Sequence, residues 1–171
     1  RTTFKEFKEQ TDRTAAYLMS LGIGRGDKVM LILKRHYQWW LSMMALCKIG
    51  AIAIPATHML TKQDIIYRNE SASVKAIICA NDEYVTTQIQ SAMPESPSVK
   101  LLVAVNSMSE YDKPIPEGFH DWHKEWINAL GVKRPEDVNA NEDTMLMYFT
   151  SGTSGEPKMV AHDYLYALGH L

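Results

Sequence analysis

Features that mark disulfide-bonded, secreted or membrane proteins are scarce in this sequence. It has two cysteines, Cys47 and Cys79, which both lie in apolar runs and form no C-x-x-C pair. Two thiols predicted to be buried indicate a reducing compartment rather than a disulfide framework. No apolar run approaches the roughly 20 residues that a membrane helix needs. Residues 1–3 show no signal-peptide pattern, so we expect a cytoplasmic protein without a transmembrane segment.

The sequence also lacks an excess of charge of either sign. Its 18 Lys and Arg residues and 20 Asp and Glu residues give a formal net charge of -2. Gross electrostatics therefore gives no reason to expect a nucleic-acid partner. There is no internal repeat and no low-complexity tract, and 171 residues are enough for one domain with a sizeable core.

Short apolar runs alternate with segments of helical periodicity along most of the chain. The runs predict strands at 28–33, 51–55, 75–79, 100–105 and 144–149, and the intervening segments predict helices at 3–21, 37–50, 61–71, 82–93 and 120–130. Strands that are apolar on both faces and separated by helices indicate an α/β fold. We expect a mainly parallel sheet flanked by helices.

A loop of unusual composition follows the last predicted strand. Its residues are Thr150, Ser151, Gly152, Thr153, Ser154, Gly155, Glu156, Pro157 and Lys158. The two glycines permit positive φ angles and a close approach of the backbone to a ligand, while the hydroxyl groups and the lysine supply hydrogen-bond donors and a cation. Ligands of open α/β sheets bind where strands end. The loop therefore indicates a site for a phosphate chain.

Three other interpretations of this loop fit the residues less well. A plain solvated turn does not account for six consecutive Thr, Ser and Gly residues that end in Glu-Pro-Lys. A Walker A loop is excluded, because Pro157 stands where that motif needs glycine and Met159 follows the lysine. A serine-hydrolase elbow is excluded because the G-x-S-x-G pattern is absent.

The loop resembles the ATP signature of the adenylate-forming, or AMP-binding, superfamily, which includes acyl-CoA synthetases, luciferases and peptide-synthetase adenylation domains. The longer stretch 148–162 is most similar to the medium-chain acyl-CoA synthetase branch. Two upstream stretches agree with that branch, namely 25–29 and the Trp39-Trp40 pair ahead of a helix that ends at Gly50.

One departure from the superfamily pattern supports the same branch. Most members have glycine after the signature lysine, whereas this sequence has Met159, which is consistent with the medium-chain enzymes. The resemblance extends over most of the chain, from about Thr3 to Leu171. It implies that residues 1–171 are a single fragment of the large N-terminal domain, with the rest of that domain and a C-terminal domain lying outside it.

The resemblance implies a two-step reaction. A carboxylate attacks the α-phosphate of ATP complexed with Mg²⁺, pyrophosphate leaves, and an acyl-adenylate forms; coenzyme A then attacks the acyl carbon to give a thioester and AMP. Residues 150–158 would bind the ATP phosphates, and Lys158 would also be catalytic by stabilising the departing pyrophosphate. The implied substrate is a fatty acid or a related small carboxylic acid. We expect residues 1–171 alone to be inactive, and an animal protein of this branch to lie in the mitochondrial matrix.

Two alternative functions stay open on the sequence alone. The first is an adenylation domain that loads a carrier protein, and the second is a nucleotide-binding fragment without turnover of its own. His58 and Met59 follow a predicted strand and are either an ordinary loop or part of the region that approaches the coenzyme A entrance in the resembled branch. His162 is either structural or shapes the site.

Two short patterns suggest sites that we do not predict. Arg25-Gly26-Asp27 spells an adhesion tripeptide, but it fits a tight turn before a strand. His120, Asp121 and His123 offer metal-ligand side chains, but no further ligand is evident in the sequence, so a solvated helix start is favoured and no metal site is predicted.

Overall fold

The computed structural model describes residues 2–131, 139–151 and 155–170. Its helices are α1 (Phe4–Ser20), α2 (Gln38–Ile49), α3 (Lys62–Ala72), α4 (Glu83–Ala92) and α5 (Trp122–Trp126). Its strands are β1 (Lys28–Ile32), β2 (Ile52–Pro55), β3 (Ala76–Ala80), β4 (Leu101–Val105), β5 (His120–Asp121), β6 (Thr144–Thr150) and β7 (Lys158–Asp163). Short 3₁₀ turns span Met93–Glu95, Met108–Glu110 and Tyr164–His170.

The strands form one sheet in the order β5-β4-β3-β1-β2-β6-β7. Neighbouring strands are parallel from β5 to β6, and β7 pairs with β6 in the antiparallel direction. The predicted α/β fold with a mainly parallel, helix-flanked sheet is confirmed. Because β6 is parallel to β2, the loop after β6 leaves the sheet at the edge where the carboxyl ends of β1 to β5 also lie.

Two hydrophobic clusters cover the two faces of the sheet. Alternate residues of β1 enter different clusters: Val29 and Leu31 pack with α1 and α2, whereas Met30 and Ile32 pack with α3 and α4. Successive side chains of a strand point to opposite faces, and a parallel sheet buries both faces, so the strands are apolar throughout. This explains why short continuous apolar runs, rather than alternating ones, mark the strands in the sequence.

Local capping interactions set where three helices begin. Thr3 forms a capping box with Glu6, in which each side chain hydrogen-bonds the other residue's backbone N–H. Thr61 and Asp64 form the same arrangement at α3. The Asp82 carboxylate accepts a hydrogen bond from the backbone N–H of Val85 at 3.2 Å at the start of α4. A side chain that satisfies a free N–H of the first turn stabilises the helix start by about 1 kcal/mol.

The helix predicted at 120–130 is wrong in both bounds. His120 and Asp121 are a short strand instead, because His120 pairs with Val103 at the sheet edge. The Asp121 carboxylate then accepts hydrogen bonds from the backbone N–H groups of His123 and Lys124 at 3.0 and 3.2 Å, so α5 begins at Trp122. Beyond Trp126 the chain continues in i→i−3 turns rather than as an α-helix.

The sequence analysis missed β7. Every residue of this strand is exposed or only half-buried, so it lacks the apolar run that marked the other strands. Its register with β6 places Thr150 opposite Lys158 and Leu146 opposite His162. β6 itself is less buried than predicted, since only Leu146 and Met147 are buried.

The state of the cysteines and the apolar length of the helices can be compared with the prediction of buried thiols and no transmembrane segment. Both cysteines are free thiols, but only Cys79 is buried, whereas Cys47 is half-buried. Burial raises the pKa of the Cys79 thiol, so it is un-ionised and unreactive. Among the described residues, no helix has the length and apolar character that a membrane span requires.

Candidate functional site

The predicted phosphate loop is the connection of a β-hairpin. β6 ends at Thr150 and β7 begins at Lys158, and these two residues are register partners across the hairpin. The Thr150 hydroxyl donates a long hydrogen bond of 3.4 Å to the Lys158 carbonyl, which closes the neck of the loop. The two ends of the loop are therefore held together at the carboxyl edge of the sheet. Gly152, Thr153 and Ser154 lie outside the described residues.

Gly155 shows why a glycine stands at this position. Its φ angle is +102°, a conformation that residues with a side chain rarely adopt. A Cβ atom built at this position would meet nothing within 4 Å, so space is not the reason for the glycine. The predicted positive φ is confirmed at Gly155, and the backbone conformation alone accounts for the residue.

The polar side chains of the loop that the structure describes are exposed to solvent. Thr150, Ser151, Glu156 and Lys158 are exposed, and Pro157 is half-buried. Within the described parts of the chain, no salt bridge or side-chain hydrogen bond engages the Lys158 ammonium group. Its charge is thus available to an anion that enters the loop.

Two residues of helix α3 contact the segments on either side of the loop. The Tyr67 hydroxyl donates a 2.8 Å hydrogen bond to the carbonyl of Pro157, and the Tyr67 ring packs edge-on against Phe149 with ring centroids 6.1 Å apart. The Arg68 guanidinium carbon lies 5.1 Å from the centroid of the same Phe149 ring. These contacts join both sides of the loop to one helix. Sequence reasoning missed Tyr67 and Arg68, and no local pattern identifies them.

A charged residue at the start of α3 holds Arg68 in place. Arg68 Nη1 donates to the Asp64 carbonyl at 3.0 Å and to its carboxylate at 3.4 Å. Hydrogen bonds from the Thr61 hydroxyl and backbone, followed by the charge of Arg68, lower the pKa of the Asp64 carboxyl. A carboxyl whose pKa is lower in the folded than in the unfolded protein stabilises the fold above its ordinary pKa, and this stabilisation is lost as pH falls through the folded-state value.

Replacing Tyr67 with phenylalanine is expected to destabilise the protein by about 1 kcal/mol, because it removes one hydrogen bond and leaves the ring packing intact. Urea unfolding measures the change. Tyr84→Phe is the matched control: Tyr84 is 47% exposed on α4, and its hydroxyl has no hydrogen-bond partner among the described residues. Equal stability of the two variants would show that the Tyr67 hydroxyl does not hold the loop.

His162 packs between two tyrosine rings. Its ring packs edge-on against Tyr148 at a centroid distance of 5.8 Å and lies 4.1 Å from the Tyr166 ring. Tyr148 in turn packs against the hydrophobic cluster on the α1 and α2 side of the sheet. His162 is therefore part of an aromatic cluster that fixes β7 and the turn after it.

The side chains of His120, Asp121 and His123 have partners within the protein. His120 Nδ1 lies 3.0 Å from the Glu125 carboxylate, and His123 Nε2 lies 3.0 Å from the Asn106 carbonyl. Asp121 caps α5. The described residues contain no group of three or more His, Cys, Asp or Glu side chains that suits a metal ion.

The adhesion tripeptide forms the predicted tight turn. Gly26 has a φ angle of +78°, and the Asp27 carboxylate accepts a 2.8 Å hydrogen bond from the Gly24 backbone N–H. The same carboxylate accepts from Lys75 at 2.7 Å, and Arg25 forms a 2.7 Å ion pair with Asp143. All three residues thus have structural roles ahead of β1.

Comparison with known proteins places the chain in a family. The AMP-binding enzyme family matches residues 1–169. The mitochondrial acyl-coenzyme A synthetase ACSM5 of Rattus norvegicus is 33% identical over 98% of the chain, which covers 28% of that relative. The mitochondrial acyl-coenzyme A synthetase ACSM2A of Homo sapiens is 32% identical over 94% of the chain, which covers 26% of it.

Solved structures share the fold at lower identity. An anthranilate CoA ligase, AuaEII, in complex with anthranoyl-AMP superposes on 95% of the chain with a TM-score of 0.84 and 20% identity. An acyl-CoA synthetase of Brucella canis superposes on 98% with a TM-score of 0.80 and 22% identity. The chain spans between about a quarter and a third of the length of these relatives. A family match over almost every residue, together with relatives above 30% identity, means that the chain belongs to the AMP-binding enzymes.

Proposed function

We propose that the protein containing this chain activates a carboxylic acid with ATP and transfers the acyl group to coenzyme A. One observation carries the proposal: a chain of the AMP-binding family presents the exposed hydroxyls of Thr150 and Ser151, and a lysine, Lys158, that has no side-chain partner among the described residues, at the carboxyl edge of its sheet. The relatives named as acyl-coenzyme A synthetases support the choice of coenzyme A as the acceptor. The loading of a carrier protein has no comparable support.

The loop residues divide into groups with different tasks. Backbone N–H groups and hydroxyls of residues 150–156 bind the β- and γ-phosphates, and Gly155 has the positive φ angle that anion-binding backbone turns use. Pro157, fixed through its carbonyl by Tyr67, orients the following residue. Lys158 places its ammonium group against the pyrophosphate and stabilises the negative charge that accumulates there as the α–β bridge breaks.

The oxygen groups of the loop suit the Mg²⁺ ion that accompanies ATP. Thr150, Ser151 and Glu156 present exposed hydroxyl and carboxylate oxygens, which are the hard ligands that Mg²⁺ prefers beside phosphate oxygens. When bound, the ion neutralises phosphate charge during the transfer. The loop side chains themselves orient the phosphate chain and keep it at the sheet edge.

Substrate, location and domain extent are part of the same proposal. We propose a fatty acid or a related small carboxylic acid as substrate and the mitochondrial matrix, or the cytoplasm outside animals, as the compartment. We propose also that residues 1–171 form one part of a larger N-terminal AMP-binding domain.

Exchange of labelled pyrophosphate into ATP tests the proposal on the full protein that contains this chain. Adenylation is reversible, so exchange is expected with at least one acid between acetate and decanoate, and AMP release is expected to rise when coenzyme A is added. Residues 1–171 alone are expected to give no exchange. A full protein that binds ATP but shows no exchange with any acid would be a nucleotide-binding protein without this activity.

A further inference from the structure

The side-chain bond across the neck of the phosphate loop is weak. The Thr150 hydroxyl reaches the Lys158 carbonyl at 3.4 Å, and both residues are exposed. This distance is longer than the usual range of about 2.5–3.0 Å for a hydroxyl donor and an oxygen acceptor. β7 also lies at the end of the sheet, where β6 is its only neighbour among the described strands. Contacts from outside the hairpin therefore add to the precision with which the loop is held.

Helix α3 supplies such contacts on both sides of the neck. Tyr67 donates a 2.8 Å hydrogen bond to the carbonyl of Pro157, one residue before the lysine of the loop. Its neighbour Arg68 places its guanidinium carbon 5.1 Å from the centroid of the Phe149 ring, one residue before the loop begins. A cation at this distance from an aromatic ring is attracted to it. Consecutive residues of one helix thus hold the entry and the exit of the loop.

α3 is a firm base for these two contacts. Ile65 and Ile66 are buried in the hydrophobic cluster that α3 and α4 form with the sheet. The Asn69 amide donates a buried 3.0 Å hydrogen bond to the Ser96 hydroxyl, and Thr61 caps the first turn. Residues on a packed helix hold a functional group more precisely than residues on a loop do.

The stability of the fold gives little reason for an arginine at position 68. The Arg68 side chain is 12% exposed, and its one ion-pair partner among the described residues is Asp64, which lies at 3.4 Å and is 41% exposed. A long, half-exposed ion pair offsets little of the cost of taking a charge out of water. The ring that the guanidinium group contacts, in contrast, directly precedes the phosphate loop.

We propose that Tyr67 and Arg68 are positioning residues for the activation of the acid. Together they fix the two sides of the loop, so that the Lys158 ammonium group meets the leaving pyrophosphate. The inference rests on the proposed function and adds two residues outside the loop to it. Both side chains act through the residues beside the loop rather than on the nucleotide. A displacement of about 1 Å can slow a reaction by about 100-fold, so a small loss of position is measurable as a loss of rate.

Pyrophosphate exchange by the full protein, at saturating ATP and acid, tests the role of Tyr67. Tyr67→Phe is expected to slow exchange by about fivefold, the factor that corresponds to losing a hydrogen bond of about 1 kcal/mol. The KM for ATP is expected to change by less than about twofold, because the lysine matters most in the transition state. Tyr84→Phe is the control, with unchanged exchange expected. Equal rates for the two variants would overturn the proposal for Tyr67.

A double-mutant cycle shows whether Tyr67 acts through Lys158. No ammonium group remains to be positioned in Lys158→Ala, so adding Tyr67→Phe to it is expected to slow exchange by less than about twofold. A tyrosine that only stabilises the fold would lower the rate by the same factor in both backgrounds. That second result would overturn the proposal.

Arg68→Gln tests the other side of the loop and is expected to slow exchange at least as much as Tyr67→Phe does. Arg13→Gln is the matched control, because the Arg13 guanidinium carbon also lies 5.1 Å from a ring centroid, that of Trp126. Arg13 belongs to α1, which covers the other face of the sheet, so unchanged exchange is expected. Equal rates for the two arginine variants would overturn the role of Arg68.

The experiment also separates this inference from the proposed function. Exchange by the unsubstituted protein, together with an undiminished rate in Tyr67→Phe, would overturn the inference alone. No exchange by the unsubstituted protein would overturn both. Should Arg68→Gln fail to fold, the cycle of Tyr67 and Lys158 decides, since Tyr67→Phe removes a single oxygen atom.

Discussion

Replacement of Lys158 with alanine is expected to slow acyl-adenylate formation by about 30- to 1,000-fold, with little effect on the binding of the carboxylic acid. Removal of one preorganised donor from the charge that develops in a transition state costs about 2–4 kcal/mol, and each 1.36 kcal/mol is a factor of ten in rate. The ammonium group matters most as negative charge moves onto pyrophosphate, so the rate falls more than ground-state binding does.

The structure separates this loss of rate from a loss of folding. Lys158 is exposed at the first position of β7, and its side chain has no partner among the described residues. The backbone pairing with Thr150 does not involve the side chain, so the variant is expected to fold normally. The melting temperature is therefore expected to stay that of the wild-type protein.

Pyrophosphate exchange at saturating acid, with the KM for the acid measured in parallel, is the required experiment. Lys100→Ala removes the same side chain at the opposite edge of the sheet and serves as the control, with unchanged exchange expected. Near-normal exchange by Lys158→Ala would show that this lysine does not stabilise the leaving pyrophosphate.

The fold could be predicted where short-range interactions decide it. Thr3 with Glu6 and Thr61 with Asp64 predicted two helix starts to within a residue, because a capping box uses groups only three positions apart. Gly50 predicted the end of α2, where it has a φ angle of +73°. Burial on both faces of the sheet makes its central strands apolar throughout, so they were predicted as well.

Prediction failed where a distant strand decides the local structure. His120 and Asp121 form a strand only because Val103 and Ala104 offer an open sheet edge, and that edge lies in another part of the sequence. β7 has no apolar pattern of its own and exists because β6 pairs with it. In both cases the residues carry no local signal for the pairing.

The candidate site was also predicted only where local sequence decides it. The loop was predicted from composition, since glycines, hydroxyls and a lysine in one short stretch suit phosphate. The residues that support the loop were not predicted, because Tyr67 contacts Pro157 across 90 positions of sequence. A crevice of about 900 Å³ at the same edge was missed as well, because only the strand order brings residues 33–38 close to His58 and Ser107.

The largest expected effect on stability comes from Trp122, the anchor of α5. Its side chain is 1% exposed and belongs to the hydrophobic cluster that covers one face of the sheet. It packs edge-on against Tyr17 of α1 with ring centroids 5.5 Å apart, and the Tyr17 hydroxyl donates a 3.2 Å hydrogen bond to Glu125. Burial, and then the charge of Glu125, raises the pKa of the Tyr17 phenol, so the hydroxyl keeps its proton and this bond.

Trp122→Ala is therefore expected to reduce the free energy of unfolding by about 3–5 kcal/mol, because it removes a large buried ring and leaves a cavity that the sheet cannot close. Native domains are stable by only about 5–15 kcal/mol, so the variant should retain a fold of much lower stability. Urea unfolding followed by circular dichroism measures the loss.

The control is Trp40→Ala, which removes a ring that is 60% exposed and touches Trp39. That change is expected to cost less than about 1.5 kcal/mol, the upper value for an aromatic pair. If the two variants were equally stable, α5 would not be anchored to the sheet through Trp122, and the edge formed by β5 would depend on strand pairing alone.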